Sequence, residues 1–186
     1  MKVQSSTIEN KYLRVKSINI GACLYEVYDK KKKINLILNL GSTKNYTLKN
    51  LYVGATCGRY AGRISNSKFN IKNKIFKLKG NEGKNTLHGG KKGFDRLEWK
   101  INHHSKNKII YKLLSKNLDQ GFPGDLNAEC TFEIKSKSLF IKYQYKSNQL
   151  THVSLTNHSY WNLNRNKNET IFNHDLKINS EKYLEV

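Results

Sequence analysis

With 186 residues, the chain has room for one domain with a real core. A hydrophobic fraction of 37% with 11% aromatics excludes a wholly disordered chain. The net charge of +20 raises nucleic-acid binding, but the lysines are spread along the chain, with one compact run at Lys30-Lys31-Lys32-Lys33. A nucleic-acid module concentrates its charge on one element or interleaves it with stacking aromatics. The favoured reading is therefore a solvated Lys/Asn surface, and no specific nucleic-acid partner is expected.

From the N-terminus, Met1 to Thr7 carries no apolar stretch, and no segment approaches the ~18 apolar residues that cross a membrane. Cys23, Cys57 and Cys130 are odd in number, far apart and lack a Cys-x-x-Cys pair. The expectation is a soluble, cytoplasmic protein in a reducing compartment. β-rich runs follow at Arg14 to Ile20, Cys23 to Tyr28, Ile34 to Leu38, Phe69 to Leu78, Lys108 to Leu114, Ala128 to Ile134, Leu139 to Lys146 and His174 to Ile178. Alternation is clearest in Leu139 to Lys146, where Leu139, Ile141, Tyr143 and Tyr145 share one face and Lys and Gln dominate the other. No long stretch repeats apolar residues at helical spacing. One proline, Pro123, and the lack of a Gly/Ser-rich linker point to a single domain. Many short strands with frequent turns predict an all-β fold, a sandwich or barrel. Its longer loops, Gly58 to Gly62, Gly80 to Gly93 and Gly121 to Gly124, are where chemistry is expected to sit.

Arg59 and Arg63 lie four apart, so on a strand they would point the same way. A guanidinium fork orients hydroxyls or carboxylates better than an ammonium does. For Arg59, structural pairing with Asp95 or Glu98 is an equal alternative. His88 precedes Gly89-Gly90, where the backbone can turn sharply and a ligand can approach; the plain alternative is a surface histidine. His158 follows an alternating apolar run and is enclosed by Asn157, Ser159, Tyr160 and Trp161. It is either a satisfied core residue or a proton donor, imidazole being the natural side chain for giving or taking a proton near neutrality. Metal binding has little support: His103 and His104 are adjacent and would face opposite sides of a strand, and His152 and His158 lack a third ligand at useful spacing. No phosphate-binding glycine loop, dinucleotide fingerprint or nucleophile elbow is present.

Five segments stand in sequence: Gly58-Arg59-Tyr60-Ala61-Gly62-Arg63-Ile64; Asn85-Thr86-Leu87-His88-Gly89-Gly90 with Gly93-Phe94-Asp95 and Trp99; Asp119-Gln120-Gly121-Phe122-Pro123-Gly124; Leu155-Thr156-Asn157-His158-Ser159-Tyr160-Trp161-Asn162-Leu163; and His174 with Tyr183-Leu184. In this order and spacing the chain resembles the aldose 1-epimerase (galactose mutarotase) family, from about residue 12 onward. The resemblance implies an antiparallel β-sandwich of the mutarotase supersandwich type. Residues 1–186 would form the N-terminal portion of a single such domain, incomplete at its C-terminal side. It also implies interconversion of α and β anomers of aldoses such as galactose or glucose without metal or cofactor. In that scheme His158 is the general acid for the ring oxygen and His88 a positioning and charge-stabilising partner. Arg63, Asn157 and Trp161 join His88 in binding the sugar.

The chain departs from the family pattern at Gly62, where many members have Asn, and at Trp161, where Phe is usual. The family's sugar-binding Asp and general-base Glu come from a later portion without a counterpart in these residues, so the chain alone is expected to be impaired. A non-catalytic sugar-binding remnant and a basic nucleic-acid-associated protein are the alternatives. Oligomeric state is not legible in the sequence.

Overall fold

The computed structural model describes residues 2–48 and 51–182. The Tyr183-Leu184 motif lies outside that range. Alternating side chains build two antiparallel sheets. The first runs β1 (Ser5–Glu9), β2 (Leu13–Ile18), β3 (Cys23–Asp29) and β4 (Ile34–Asn35) in sequence order. Short pieces follow: a one-turn helix α1 (Asn45–Leu48), β5 (Thr56–Cys57), β6 (Arg63–Ile64), β7 (Lys68–Ile71), β8 (Lys74–Lys77) and β9 (Thr86–Leu87). The second sheet is β10 (Lys100–His104), β11 (Lys108–Ser115), β12 (Leu126–Lys135) and β13 (Ser138–Ser147), again in order, before the two-residue β14 (Thr156–Asn157).

The two sheets share one core. Ile8, Val15, Leu24 and Val27 from the first meet Ile109, Tyr111, Ala128, Cys130, Phe132 and Ile134 from the second. In β12 the inward set Leu126, Ala128, Cys130, Phe132 and Ile134 follows the pleat, each at most 2% exposed. The buried Tyr111 hydroxyl finds Ser17 Oγ at 2.8 Å, so the sheets are also joined by a satisfied polar pair. This is the expected antiparallel sandwich. Among the described residues, no helix is long and apolar enough to cross a membrane.

Several runs differ from the sequence reading. Phe69 to Leu78 is a hairpin, β7 with β8, rather than one strand; it reverses at Lys72-Asn73, where Lys72 takes a φ of 51°, and Phe69 pairs with Phe76. Ile34 to Leu38 pairs regularly only at Ile34–Asn35, after which Ile37 makes an isolated bridge to Trp161. Arg14 to Ile20 ends at Ile18, and Ile20 instead bridges Glu98 across to the β10 side. His174 to Ile178 forms no strand: it follows a single 3₁₀ turn at Ile171–Asn173, and Leu176 is 84% exposed. β1 and β10 lie outside the runs read from the sequence. β1 has Ile8 as its only large apolar residue, and β10 is interrupted by a bulge between Ile101 and His103. Phe172, Leu176 and Ile178 face solvent, as do Leu150 and Leu163 nearby in sequence.

Candidate active site

Two minimal ladders converge at one end of the sandwich. β5 pairs with β14, matching Cys57 to Thr156 and Thr56 to Asn157, and the next residue is His158. The His158 backbone is held on both sides, its N–H donating to Ala55 O (2.8 Å) and its carbonyl accepting from Gly54 N–H (2.9 Å). β6 pairs with β9, matching Arg63 to Leu87, and the next residue is His88. There the chain turns through left-handed backbone, with φ of 51° at His88 and 91° at Gly89. A Cβ at Gly89 would sit 1.9 Å from Gly58 O, so only glycine fits.

The two half-buried imidazoles meet edge to face, centroids 5.3 Å apart at 87°. Tyr52 braces both: its ring lies 4.8 Å from His88, edge on, and 5.9 Å from His158, stacked. The Tyr160 ring also lies against His158, centroids 5.0 Å apart. The Gly62 N–H donates to His88 Nδ1 at 3.1 Å, so Nδ1 is an acceptor and the proton of the neutral ring sits on Nε2. Burial, then the nearby His158 and Arg63, push the His88 pKa below its ordinary value, which favours this neutral Nε2–H donor near pH 7.

Beneath this loop lies Asp95, its side chain 6% exposed and one carboxylate oxygen without a partner. Burial raises its pKa to about 6, against a smaller opposing pull from Arg96.

The two arginines part company. Arg59 is buried, 2% exposed; Nη1 donates to the carbonyls of Pro123 and Gly124, and Nη2 to Ser115 O, Ser115 Oγ and Lys116 O. It does not share a face with Arg63, because the chain turns between them instead of running as one strand. Nor does it pair with Asp95 or Glu98: its partners are backbone carbonyls of the Lys116–Gly124 loop and the Ser115 hydroxyl. Arg63 stays at the surface, beside His88.

The structure brings His88, His158 and Arg63 together. Asn157 is adjacent, but its side-chain amide donates to Gly54 O (2.9 Å) and its oxygen accepts from Ser159 N–H (3.2 Å), which shapes the turn carrying His158. Trp161 lines a neighbouring apolar hollow of about 470 Å³ with Ile37, Leu38, Asn162 and Ile171; Tyr160 borders this hollow as well as touching His158. Two neighbours of these residues are marked by no motif: Tyr52, which packs on both imidazoles, and Glu82, whose carboxylate accepts from Arg63 Nε at 2.7 Å. Tyr52 lies in an ordinary run, Leu51-Tyr52-Val53, and Glu82 in a loop of mixed polar residues.

The aldose 1-epimerase family model matches residues 4–186. The chain is 34% identical to pig galactose mutarotase across 99% of its own length and 54% of the relative's. It is 35% identical to aldose 1-epimerase of Haemophilus influenzae, covering 98% of this chain and 55% of that one. Among solved structures, an aldose epimerase homologue from C. elegans superposes with a TM-score of 0.81 at 28% identity, over 87% of this chain and 51% of that one. Galactose 1-epimerase from Lactobacillus acidophilus gives 0.78, also at 28% identity, over 88% and 54%. The chain thus spans about half the length of these relatives. Strand architecture, ordered motifs and likeness to these proteins agree: the chain belongs to the aldose 1-epimerase family.

Proposed function

We propose that this chain carries the proton-donor side of a site that interconverts the anomers of an aldohexose such as galactose or glucose. The supporting observation is the meeting of His88 and His158 around Tyr52, with Arg63 alongside. In the proposed reaction, a base takes the proton of the C1 hydroxyl and the C1–O5 bond breaks. His158 protonates O5, leaving an open-chain aldehyde. Rotation about C1–C2 and reversal of the same transfers close the ring on the other face. His88, as a neutral Nε2–H donor, holds a sugar oxygen and disperses the charge that develops. Arg63 donates to a hydroxyl.

The family resemblance assigns the base to a later portion than the segments matched here. A general base ordinarily contributes ~10²–10⁴-fold in rate. The residues described here are expected to bind aldose and to supply the donor half of the transfer. The test is an NMR titration of their imidazole resonances with galactose, paired with polarimetry of fresh α-galactose. Millimolar sugar should shift the His88 and His158 signals, and any rate above buffer should vanish in His158→Ala. If neither imidazole responds to any aldohexose, the reading is wrong.

A further inference from the structure

Arg63 reaches the site with its fork already engaged. Nε donates to Glu82 Oε2 at 2.7 Å and Nη2 to Oε1 at 2.8 Å, a bidentate pair. Glu82 is not a long acid that happens to lie near a cation, because four hydrogen bonds fix its loop. Glu82 and Asn85 exchange backbone bonds (Glu82 N–H to Asn85 O, 3.2 Å; Asn85 N–H to Glu82 O, 2.8 Å). Asn81 spans both polar groups of Leu87, with Nδ2 donating to its carbonyl at 3.0 Å and Oδ1 accepting from its N–H at 2.7 Å. Leu87 is the ladder partner of Arg63 and the residue before His88. One short ladder therefore positions the arginine, the carboxylate and the imidazole together. Both charges act on the His88 ring, Arg63 lowering and Glu82 raising its pKa, which puts the pair within electrostatic reach of the site.

A half-exposed ion pair of this kind adds little to stability. Acidic side chains are also scarce, 14 against 34 basic ones, so a carboxylate so firmly placed beside the histidines calls for another role. A sugar hydroxyl both donates and accepts. A guanidinium offers only donors and a carboxylate only acceptors. Side by side they complement two neighbouring hydroxyls, each satisfied in its own sense.

We propose that Arg63 and Glu82 form one recognition element for adjacent hydroxyls of the aldose, with Glu82 accepting a hydroxyl proton and so setting which sugars bind. The proposal rests on the reading of the site as an aldose site and adds a residue to it. It is tested on the 186-residue chain by ligand-observed NMR titration with galactose and each of its monodeoxy analogues. The proteins compared are wild type, Glu82→Ala, Glu82→Gln and Arg63→Ala, with thermal midpoints measured alongside.

Glu82→Ala should weaken galactose by about tenfold, the usual scale for a lost hydrogen bond to a charged group. Glu82→Gln, which keeps one acceptor oxygen, should fall between and serves if the alanine variant folds poorly. One deoxy sugar, lacking the contacted hydroxyl, should bind wild type and Glu82→Ala alike, and midpoints should not move. Equal galactose affinity in wild type and both Glu82 variants would overturn the proposal while leaving the aldose reading intact. So would a uniform loss across every sugar, since Glu82 would then act only by holding Arg63. A wild-type chain that binds none of the sugars would overturn both.

Discussion

Gly62 and His88 are joined by two bonds that run in opposite directions: the His88 N–H donates to the Gly62 carbonyl at 3.0 Å, and the Gly62 N–H donates to His88 Nδ1 at 3.1 Å. The backbone of one residue thus sets both the place and the tautomer of the other's ring. In ¹⁵N NMR, neutral His88 should carry its proton on Nε2. Its titration midpoint should lie below the ordinary 6.5 and move up toward it in His158→Asn, since His158 is one of the groups holding it down. The sign for stability follows: with a folded pKa below the unfolded one, the contribution of His88 is complete above 6.5 and is lost as pH falls through the folded value. A neutral His88 ring carrying its proton on Nδ1 would contradict this account.

Asp95 has the opposite linkage. Its folded pKa of about 6 lies above the ordinary 3.8, so it causes no loss below pH 4, and a cost builds as pH rises through 6. The burial of a carboxylate with one unpartnered oxygen is the cause. Asp95→Asn should match wild type near pH 4 and exceed it above pH 7 by up to roughly 3 kcal/mol in urea unfolding. A stability difference that does not change with pH would show that this carboxylate is not the source.

The two arginines should separate cleanly under mutation. Arg59→Ala takes the guanidinium donors from the Pro123 and Gly124 carbonyls and from Ser115 inside the protein, while Lys116 O keeps the Asp119 N–H, and is expected to cost on the order of 3–5 kcal/mol or to prevent folding. Arg59→Lys keeps the charge but cannot span four carbonyls, so it should rescue only part of that. Arg63→Ala should leave the chemical-denaturation midpoint unchanged and appear only in sugar affinity.

Gly89 and Gly62 both have φ near 90°, yet they should respond differently to alanine. At Gly62 an added Cβ meets open space, and the cost is backbone strain of about 1 kcal/mol. At Gly89 it meets the Gly58 carbonyl at 1.9 Å, so the loop must move and His88 with it. Thermal melts should show a small drop for Gly62→Ala and a large one for Gly89→Ala, with sugar-dependent imidazole shifts lost only in the latter.

The long strands were legible because their alternation is strong: β11, β12 and β13 fall within a residue or two of the runs read from sequence. β1 was not, because Ser6 and Ile8 alone mark its inward face. The Phe69 to Leu78 run concealed a turn at Lys72-Asn73, which has no glycine to announce it. His88, His158 and Arg63 stood in motifs, and the fold brings them together. Tyr52 and Glu82 escaped notice because they reach the histidines and Arg63 only through contacts between segments distant in sequence. No local pattern encodes that. Arg59 misled for the same reason: its partners are Ser115 and main-chain carbonyls of the loop that follows it, more than fifty residues away.

The solvent-facing apolar side chains of Phe172, Leu176 and Ile178 have a colloidal consequence. On a chain carrying +20, mutual repulsion keeps such surfaces apart at low ionic strength. Physiological salt shortens the reach of that repulsion to ~8 Å but does not weaken apolar contact. Light scattering from the 186-residue chain should therefore rise as sodium chloride is added, the reverse of what an assembly held by ion pairs would do, and Phe172→Ser with Leu176→Ser should flatten the response.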